Sequence, residues 1–108
     1  MKKLFPRLSE QGFIGRLKIK NRFIMAPFST NYCNPDGSVT HRLLRHCEER
    51  AKGGVGLVIV EFAYIDNEGS KSLHAELGAY DVQLIPGLSL LARVIQENRA
   101  KAGLQIVH

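Results

Sequence analysis

Val55-Gly56-Leu57-Val58-Ile59-Val60 is an uninterrupted apolar stretch, and it decides the fold of this chain. A strand with one solvent-facing side alternates apolar and polar residues, whereas a strand covered on both sides is apolar throughout. The stretch has the length of a strand, and Gly53-Gly54 directly precedes it. It therefore predicts a strand buried on both faces, as in a parallel sheet.

Two further stretches follow the same pattern. Residues 23–26 are apolar at every position and end at Pro27, and residues 104–108 are predicted to form a third strand, cut off at the chain end. Gln105 lies inside this third strand, where a buried amide needs hydrogen-bond partners. Either backbone or water satisfies the amide, or it binds a ligand edge that carries both a donor and an acceptor.

Two amphipathic helices are predicted between these strands. Thr40 caps the first helix, over residues 41–52, and Gly53-Gly54 terminates it. The second helix begins at Pro86, a residue suited to the first helical position, and ends at Gly103. Its apolar stripe comprises Leu88, Leu91, Val94, Ile95 and Ala102.

The segment before the first strand alternates apolar and basic residues from Ile14 to Lys20, which predicts a half-exposed hairpin acting as a cap. The order of hairpin, strand, helix, strand, helix and strand indicates an α/β fold with a parallel sheet and right-handed crossovers. This pattern fits either a doubly wound sheet or a (β/α)8 barrel. Residues 61–83 are predicted to form a long loop, and loops of this length are often functional.

Composition indicates a single soluble domain over residues 1–108. Hydrophobic residues make up 44% of the chain, which is ordinary for a globular protein. The net charge of +5 favours either a solvated basic surface or an anionic partner, and no five like charges are consecutive. With only Cys33 and Cys47, and no apolar stretch of signal-peptide length after Met1-Lys2-Lys3, we expect a cytoplasmic protein with reduced thiols.

Several common site motifs are missing from the sequence. No Gly-x-Gly-x-x-Gly follows a predicted strand, so a Rossmann nucleotide site is not expected. His41 and His46 are five residues apart on a helix and diverge by about 140°, and no pair of potential ligands has zinc-site spacing, so no metal site is expected. Ser29 and Ser38 lack the glycines of a nucleophile elbow.

The remaining candidates are positional, because active sites of α/β proteins lie past the carboxyl ends of parallel strands. Those positions are residues 27–30, residues 61–63 and the end of the third strand near His108.

At these positions the chain resembles the Old Yellow Enzyme superfamily of NADH:flavin oxidoreductases, and its 2-enoate reductase and 2,4-dienoyl-CoA reductase branch in particular. The resemblance rests on short motifs in family order that run through the chain. They are Leu4-Phe5 with Leu17-Lys18-Ile19-Lys20-Asn21-Arg22, Met25-Ala26-Pro27-Phe28-Ser29-Thr30, Asp36-Gly37-Ser38-Val39-Thr40, Glu49-Arg50-Ala51-Lys52-Gly53-Gly54-Val55-Gly56-Leu57, Ile85-Pro86-Gly87-Leu88 and Leu104-Gln105-Ile106-Val107-His108.

The resemblance implies a (β/α)8 TIM barrel closed at its bottom by the N-terminal hairpin. Residues 1–108 would supply its first three βα units, as the N-terminal part of an FMN-binding domain. It also implies FMN bound non-covalently at the top of the barrel. NADH or NADPH would reduce the flavin, whose N5 would pass hydride to an activated alkene such as an enoate, an enone or a dienoyl thioester.

The same resemblance assigns cofactor contacts near the first strand. The backbone of Ala26, Pro27 and Phe28 would lie against the flavin ring. Ser29 or Thr30 would supply the polar group near the flavin O4, where a hydrogen bond favours the reduced, anionic ring. Ordinary turn chemistry is the alternative for both hydroxyl groups.

Two later residues complete the implied contacts. Gln105 would bond the pyrimidine edge of the flavin. Phe62 falls where many members have alanine or glycine under the flavin, so a contact there implies a pocket of different shape.

The catalytic residues of the family are expected beyond residue 108, as are its FMN phosphate site and the 4Fe-4S cluster of larger members. We expect these 108 residues alone to be inactive, to lose FMN, and to self-associate or be completed by the missing barrel units. The alternative functions are a non-catalytic βα module acting through an exposed strand edge and a basic nucleic-acid-binding domain.

Overall fold

The computed structural model describes residues 4–108. Met1, Lys2 and Lys3, which open the sequence, lie outside the described residues. The main elements are two helices of twelve residues and a sheet of four parallel strands. The elements in chain order are α1 (Pro6–Ser9), β1 (Gly12–Ile14), β2 (Leu17–Ile19), β3 (Ile24–Met25), α2 (His41–Lys52), β4 (Leu57–Tyr64), β5 (Leu77–Gly78), a 3₁₀ turn (Val82–Leu84), α3 (Ile85–Gln96) and β6 (Lys101–Val107).

The sheet is built around β4, as the apolar stretch predicts. β6 runs parallel to β4 along nearly its whole length, from Leu57↔Lys101 to Tyr64↔Val107. β3 and β5 are also parallel to β4 and pair with its beginning and its end, respectively. Because β6 occupies one edge of β4, β3 and β5 share the other edge. The parallel arrangement predicted from the sequence is confirmed.

A β-bulge interrupts the pairing of β4 with β6. Val60 pairs with Leu104 and Ala63 pairs with Ile106, so two residues of β4 face a single residue of β6. The two residues are Glu61 and Phe62, and the single one is Gln105. A bulge bends its strand and redirects side chains, and bulges are frequent beside active sites.

Helix α2 has the predicted bounds. The Thr40 hydroxyl accepts a hydrogen bond from the Leu43 backbone N–H at 3.2 Å, which satisfies one of the free donors of the first turn. Leu43, Cys47 and Ala51 are buried on the face that covers the sheet. Gly54 follows the helix with φ +110°, a conformation that favours glycine.

Helix α3 begins as predicted but ends earlier. It starts at Ile85, with Pro86 in its first turn, and its last residue is Gln96. Ala102 and Gly103, predicted to lie at its end, belong to β6 instead. The turn after the helix is made at Arg99, which has φ +65°. Pairing with Val58 and Ile59 draws residues 102 and 103 into the sheet.

The predicted burial of the outer strands is wrong at several positions. Ile24 is 46% exposed, Ile106 is 62% exposed, and Gln105, predicted to be buried, is exposed. The helices cover only one face of the sheet, which leaves Ile24 and Gln105 exposed on the other. Ile106 lies on the same face as the core residue Ala63, its pairing partner, but is not covered there. Residues 61–64, predicted as loop, continue β4 because they pair with β5 and β6.

The N-terminal hairpin is confirmed. β1 and β2 pair antiparallel around Gly15, which has φ +57°. The Lys20 ammonium donates to the Asn98 carbonyl oxygen at 3.2 Å, just before β6 begins. The hairpin therefore lies at the amino ends of the strands, opposite the end where a site is expected.

The hydrophobic core lies between the sheet and the two long helices. Its buried members include Val58 and Val60 of β4, Leu43 of α2, and Leu91 and Ile95 of α3. Within residues 4–108, no helix is long and apolar enough to cross a membrane.

Candidate functional site

The residues that follow β3 lie at the level of the middle of β6. Val58 pairs with Met25 on one side and with Ala102 on the other. Phe28 and Gln105 each come three residues later, and both strands run in the same direction. Since neighbouring strands lie about 5 Å apart, Phe28 and Gln105 flank the β-bulge of β4 at a separation of about 10 Å.

These two residues also share one face of the sheet. A Cβ atom on Gly103 would lie 3.8 Å from Ile59 Cγ1, so Gly103 faces the same side as Ile59. Side chains alternate along a strand, which places Gln105 on that side too. Met25 packs against the helix-covered core, whereas Ile24, Ala26 and Phe28 are exposed. This alternating exposure places Phe28 on the side of Ile24, which is also the side of Ile59.

The candidate residues at this end of the sheet are open to solvent in different degrees. Ala26, Phe28 and Gln105 are exposed, and Phe28 reaches 67%. Pro27 and Phe62 are half-buried. An apolar platform with one amide at its border is therefore available at the carboxyl end of the sheet.

The two hydroxyl groups after the platform differ in their hydrogen bonding. The Thr30 hydroxyl donates to Glu61 Oε1 at 2.7 Å and accepts from the Tyr32 N–H at 3.2 Å. Ser29 Oγ is buried and has no hydrogen-bond partner among the described residues. A buried hydroxyl without a partner is costly, so the Ser29 hydroxyl needs a partner that the described residues do not supply, whereas Thr30 is already satisfied.

Glu61 is the residue that sequence reasoning missed. The sequence places it at a strand end but assigns it no role. Only 3% of Glu61 is exposed, and its carboxylate accepts from the Thr30 N–H at 3.3 Å as well as from the hydroxyl. Burial raises the pKa of Glu61, and the hydrogen bonds from Thr30 oppose that rise. The sequence feature that could have indicated Glu61 as a site residue is a charged residue immediately after an apolar strand.

Two buried thiols lie close to this carboxylate. Burial raises the pKa of Cys33 to about 12 and that of Cys47 to about 11, and the negative charge of Glu61 adds to both shifts. Both cysteines are free, as the sequence predicts. Neither thiol is activated as a nucleophile, because reactive cysteines have a lowered pKa.

The loop after β3 is fixed to the loop after β4. Asn31 has φ +59°, and its side-chain oxygen accepts from the Ala75 N–H at 2.8 Å. The Cys33 N–H donates to the Ala75 carbonyl at 3.1 Å, and the Gly78 N–H donates to the Gly37 carbonyl at 2.9 Å. These bonds hold the segment that contains Ser29 and Thr30 against the rest of the carboxyl end.

A second, basic surface lies on the outer face of α2. Side chains that are scattered in the sequence border a cleft of about 480 Å³ there. The cleft residues are Tyr32, His41, Arg42, Arg45, His46, Glu49 and Arg50. The Arg42 guanidinium lies 3.9 Å from the centre of the Tyr32 ring, a cation–π contact. His41 and His46 do not join a metal cluster: residues 4–108 contain no group of three or more potential ligands.

Residues 13–108 match the sequence model of the NADH:flavin oxidoreductase / NADH oxidase family. The chain belongs to this family. A curated member, the NADH oxidase of Thermoanaerobacter brockii, is 40% identical over 104 residues, which is 96% of this chain and 16% of that protein.

Solved structures agree with the family assignment. A 2-naphthoyl-CoA reductase in complex with 2-naphthoyl-CoA superposes with a TM-score of 0.92 and 32% identity, over 96% of this chain and 16% of that one. The old yellow enzyme of Trypanosoma cruzi gives a TM-score of 0.86 and 27% identity, over 97% and 28% of the two chains. The parallel strands and helices are therefore the opening part of a (β/α)8 barrel, as the resemblance implies. The chain spans less than a third of each of these relatives.

Proposed function

We propose that this chain forms part of the FMN site of an NAD(P)H-dependent flavin oxidoreductase. Residues 1–108 then belong to the N-terminal part of an FMN-binding TIM-barrel domain. The observation that carries the proposal is the placement of Phe28 and Gln105 on the open face of the sheet, with the unpartnered Ser29 hydroxyl next along the chain. Membership of the NADH:flavin oxidoreductase family supports it independently.

The residues present fit the chemistry of a flavin. An isoalloxazine ring has an apolar body and a polar edge with alternating donors and acceptors. Ala26, Pro27 and Phe28 offer an apolar surface, Gln105 offers an amide with both a donor and an acceptor, and the unpartnered Ser29 hydroxyl offers a further donor. The half-buried Phe62 side chain would add to the apolar surface.

The hydrogen bonding favours Ser29 over Thr30 as the residue near the flavin O4. The Thr30 hydroxyl proton already points to Glu61, whereas Ser29 Oγ has no partner in the described part of the chain. A donor at O4 would stabilise the negative charge that the ring gains on reduction. Ser29 would thus tune the reduction potential of the cofactor.

When bound, FMN would accept hydride from NADH or NADPH and deliver it to an activated alkene. We propose an enoate, an enone or a dienoyl thioester as the substrate class. One structural relative was solved with 2-naphthoyl-CoA, itself an unsaturated thioester, which supports the thioester option. The role of this chain's own residues is to bind and orient the ring.

A chimaera tests this proposal. The present chain would replace the matched stretch of the Thermoanaerobacter brockii NADH oxidase, which supplies the remaining part of that protein. We expect the purified chimaera to contain FMN in about equimolar amount. Gln105→Leu should weaken FMN binding about tenfold, since an unpaired polar edge costs roughly 1–3 kcal/mol.

The matched control is Gln96→Leu, an exposed glutamine at the end of α3, far from the platform. It should leave FMN binding unchanged. A chimaera with native far-UV circular dichroism but no bound flavin would contradict the proposal. Equal weakening by the two glutamine substitutions would contradict the role of Gln105.

A further inference from the structure

A buried carboxylate lies one hydrogen bond away from the segment that carries Ser29. Glu61 is 3% exposed and stands in the β-bulge of β4. Burying a carboxylate costs free energy unless hydrogen bonds compensate. Both of the hydrogen bonds that Glu61 Oε1 accepts come from Thr30, one from its hydroxyl at 2.7 Å and one from its backbone N–H at 3.3 Å.

These two bonds restrain more than Thr30 itself. The Thr30 N–H belongs to the peptide unit that joins Ser29 to Thr30, and that unit is planar. A carboxylate that accepts from this N–H therefore fixes the plane of the peptide that follows Ser29. The Thr30 hydroxyl, held at the same oxygen, also accepts from the Tyr32 N–H and so fixes the next turn of the chain.

The bulge explains how Glu61 reaches this position. Val60 and Ala63 both pack in the helix-covered core, and the extra residue lies between them. In a strand without a bulge, residues 60 and 63 would face opposite sides of the sheet, so they could not both pack in the core. With the bulge, Glu61 is buried next to Thr30 while Phe62 stays half-buried at the platform.

We propose that Glu61 is a positioning residue of the flavin site, which holds the Ser29–Thr30 peptide and thereby directs the Ser29 hydroxyl toward the flavin. The inference rests on the proposed function, and it adds a residue that does not itself touch the cofactor. Its effect on the flavin must therefore pass through Ser29.

The test uses the chimaera described above and the midpoint reduction potential of its bound FMN. Glu61→Leu removes both acceptor oxygens, and Thr30→Val removes only the hydroxyl. If the Ser29 hydroxyl no longer donates to the flavin, the equilibrium between oxidised and reduced FMN should shift about tenfold toward the oxidised form. For a two-electron couple this is a midpoint potential about 30 mV more negative. We expect this shift for Glu61→Leu and a smaller one of the same sign for Thr30→Val.

Conservative variants separate positioning from charge. Glu61→Gln keeps an oxygen that accepts from Thr30, and Thr30→Ser keeps the hydroxyl. Both should stay within about twofold of the wild-type equilibrium. A shift in Glu61→Gln as large as that in Glu61→Leu would overturn the inference, because it would show that the charge of Glu61 acts on the flavin directly.

A double-mutant cycle tests the route through Ser29. In a Ser29→Ala background, Glu61→Leu should cause no further shift in potential, because the two changes remove the same hydrogen bond. Additive shifts would overturn the inference. If the Glu61→Leu variant fails to fold, the same cycle is measured with Thr30→Val in its place. Thr30→Val should then cause no further shift in potential in the Ser29→Ala background.

A second measurement needs no cofactor. Amide hydrogen exchange of Thr30 in the chimaera stripped of flavin should be protected in the wild type and in Glu61→Gln, and should accelerate at least tenfold in Glu61→Leu. Unchanged exchange would overturn the inference. An absence of flavin from the wild-type chimaera, in contrast, would overturn the proposed function and the inference with it.

Discussion

A side chain at position 37 would have no space. Gly37 has φ +88°, and a Cβ there would lie 2.6 Å from the Tyr64 hydroxyl oxygen and 2.9 Å from Gly78 Cα. The backbone of the two loops meets at this point through the hydrogen bond from the Gly78 N–H to the Gly37 carbonyl. The close approach of two backbone segments and the left-handed conformation of residue 37 both require glycine here.

We therefore expect Gly37→Ala to lower the free energy of unfolding by about 2–4 kcal/mol, from left-handed strain and overpacking together. Gly15→Ala is the matched control, because Gly15 has φ +57° but no atom within 4 Å of its Cβ position. The control should lose only about 1–2 kcal/mol. Urea unfolding followed by circular dichroism measures both, and equal losses would contradict the argument from crowding.

The buried Glu61 makes stability depend on pH. Burial raises its pKa above the ordinary value of 4.5 despite the hydrogen bonds from Thr30. A carboxyl group whose pKa is higher in the folded than in the unfolded chain contributes its full stabilisation of the fold when the pH is below its pKa in the unfolded chain. That contribution is lost as the pH rises through the pKa of the folded chain. Ionisation of Glu61 therefore destabilises the fold as the pH rises above about 4.5.

Glu61→Gln cannot ionise, so its stability relative to the wild type should improve as pH rises from about 4 to about 7. Unfolding midpoints measured across this range give the difference directly. A difference that is constant with pH, or that moves in favour of the wild type, would contradict the raised pKa.

The sequence predicts Ser29 and Thr30 at the candidate site but does not separate them. The distinction depends on Glu61, which is 31 positions away from Thr30 and meets it only after β3 and β4 have paired. No local pattern carries that information. The placement of Gln105 on the site face was predictable, in contrast, because strand alternation and parallel pairing determine it.

At the scale of elements, the N-cap of α2 joins two parts of the fold. Besides accepting from the Leu43 N–H, the Thr40 hydroxyl donates to the Tyr32 carbonyl oxygen. The cap thus attaches the helix to the loop that follows β3. Ser or Asp at this position keeps the acceptor, and only Ser also keeps the donor.

We expect Thr40→Ala to cost about 1–2 kcal/mol of stability, at the upper end for a cap because two bonds are lost. Thr40→Ser should cost less than about 0.5 kcal/mol, and Thr40→Asp should fall between the two. Thermal unfolding measures this order. If alanine and serine were equivalent, the cap would not be contributing.

Helix starts were predictable from sequence, and the end of α3 was not. Thr40 and Pro86 are local signals that act on the residues beside them. Gly103 looked like a terminator, but the helix ends at Gln96 because residues from Lys101 onward bond to β4. The same long-range pairing extends β4 to Tyr64, past the point where its apolar pattern stops.

At the scale of the whole molecule, the described chain is extended. Its radius of gyration is 14.7 Å, whereas a compact domain of about 100 residues has about 13 Å. One face of the sheet exposes large apolar side chains, among them Ile24 and Phe28, and the outer edge of β6 pairs with no strand among residues 4–108. Uncovered apolar faces and free strand edges promote association.

We expect residues 1–108, expressed alone, to self-associate and to retain no FMN. Sedimentation velocity should show species larger than the monomer, and Phe28→Lys should reduce them because it adds a charge to the apolar platform. Val82→Lys, at a 75% exposed position away from the platform, is the control and should change little. A sharp monomer peak with cooperative melting would contradict the expectation.

The extra residue of β4 reverses the parity of that strand. Before the bulge, Ile59 lies on the same face as Gly103. After the bulge, Ala63 packs in the core, so its neighbour Phe62 lies on the face of Ile59. Odd-numbered residues therefore lie on this face before the bulge, and even-numbered residues lie on it afterwards. A cysteine-labelling scan of this strand should therefore find reagent-accessible positions three residues apart, at 59 and 62. A redesign of the platform that starts at position 59 and changes every second residue of β4 would therefore, from position 61 onward, alter residues that do not lie on the platform face.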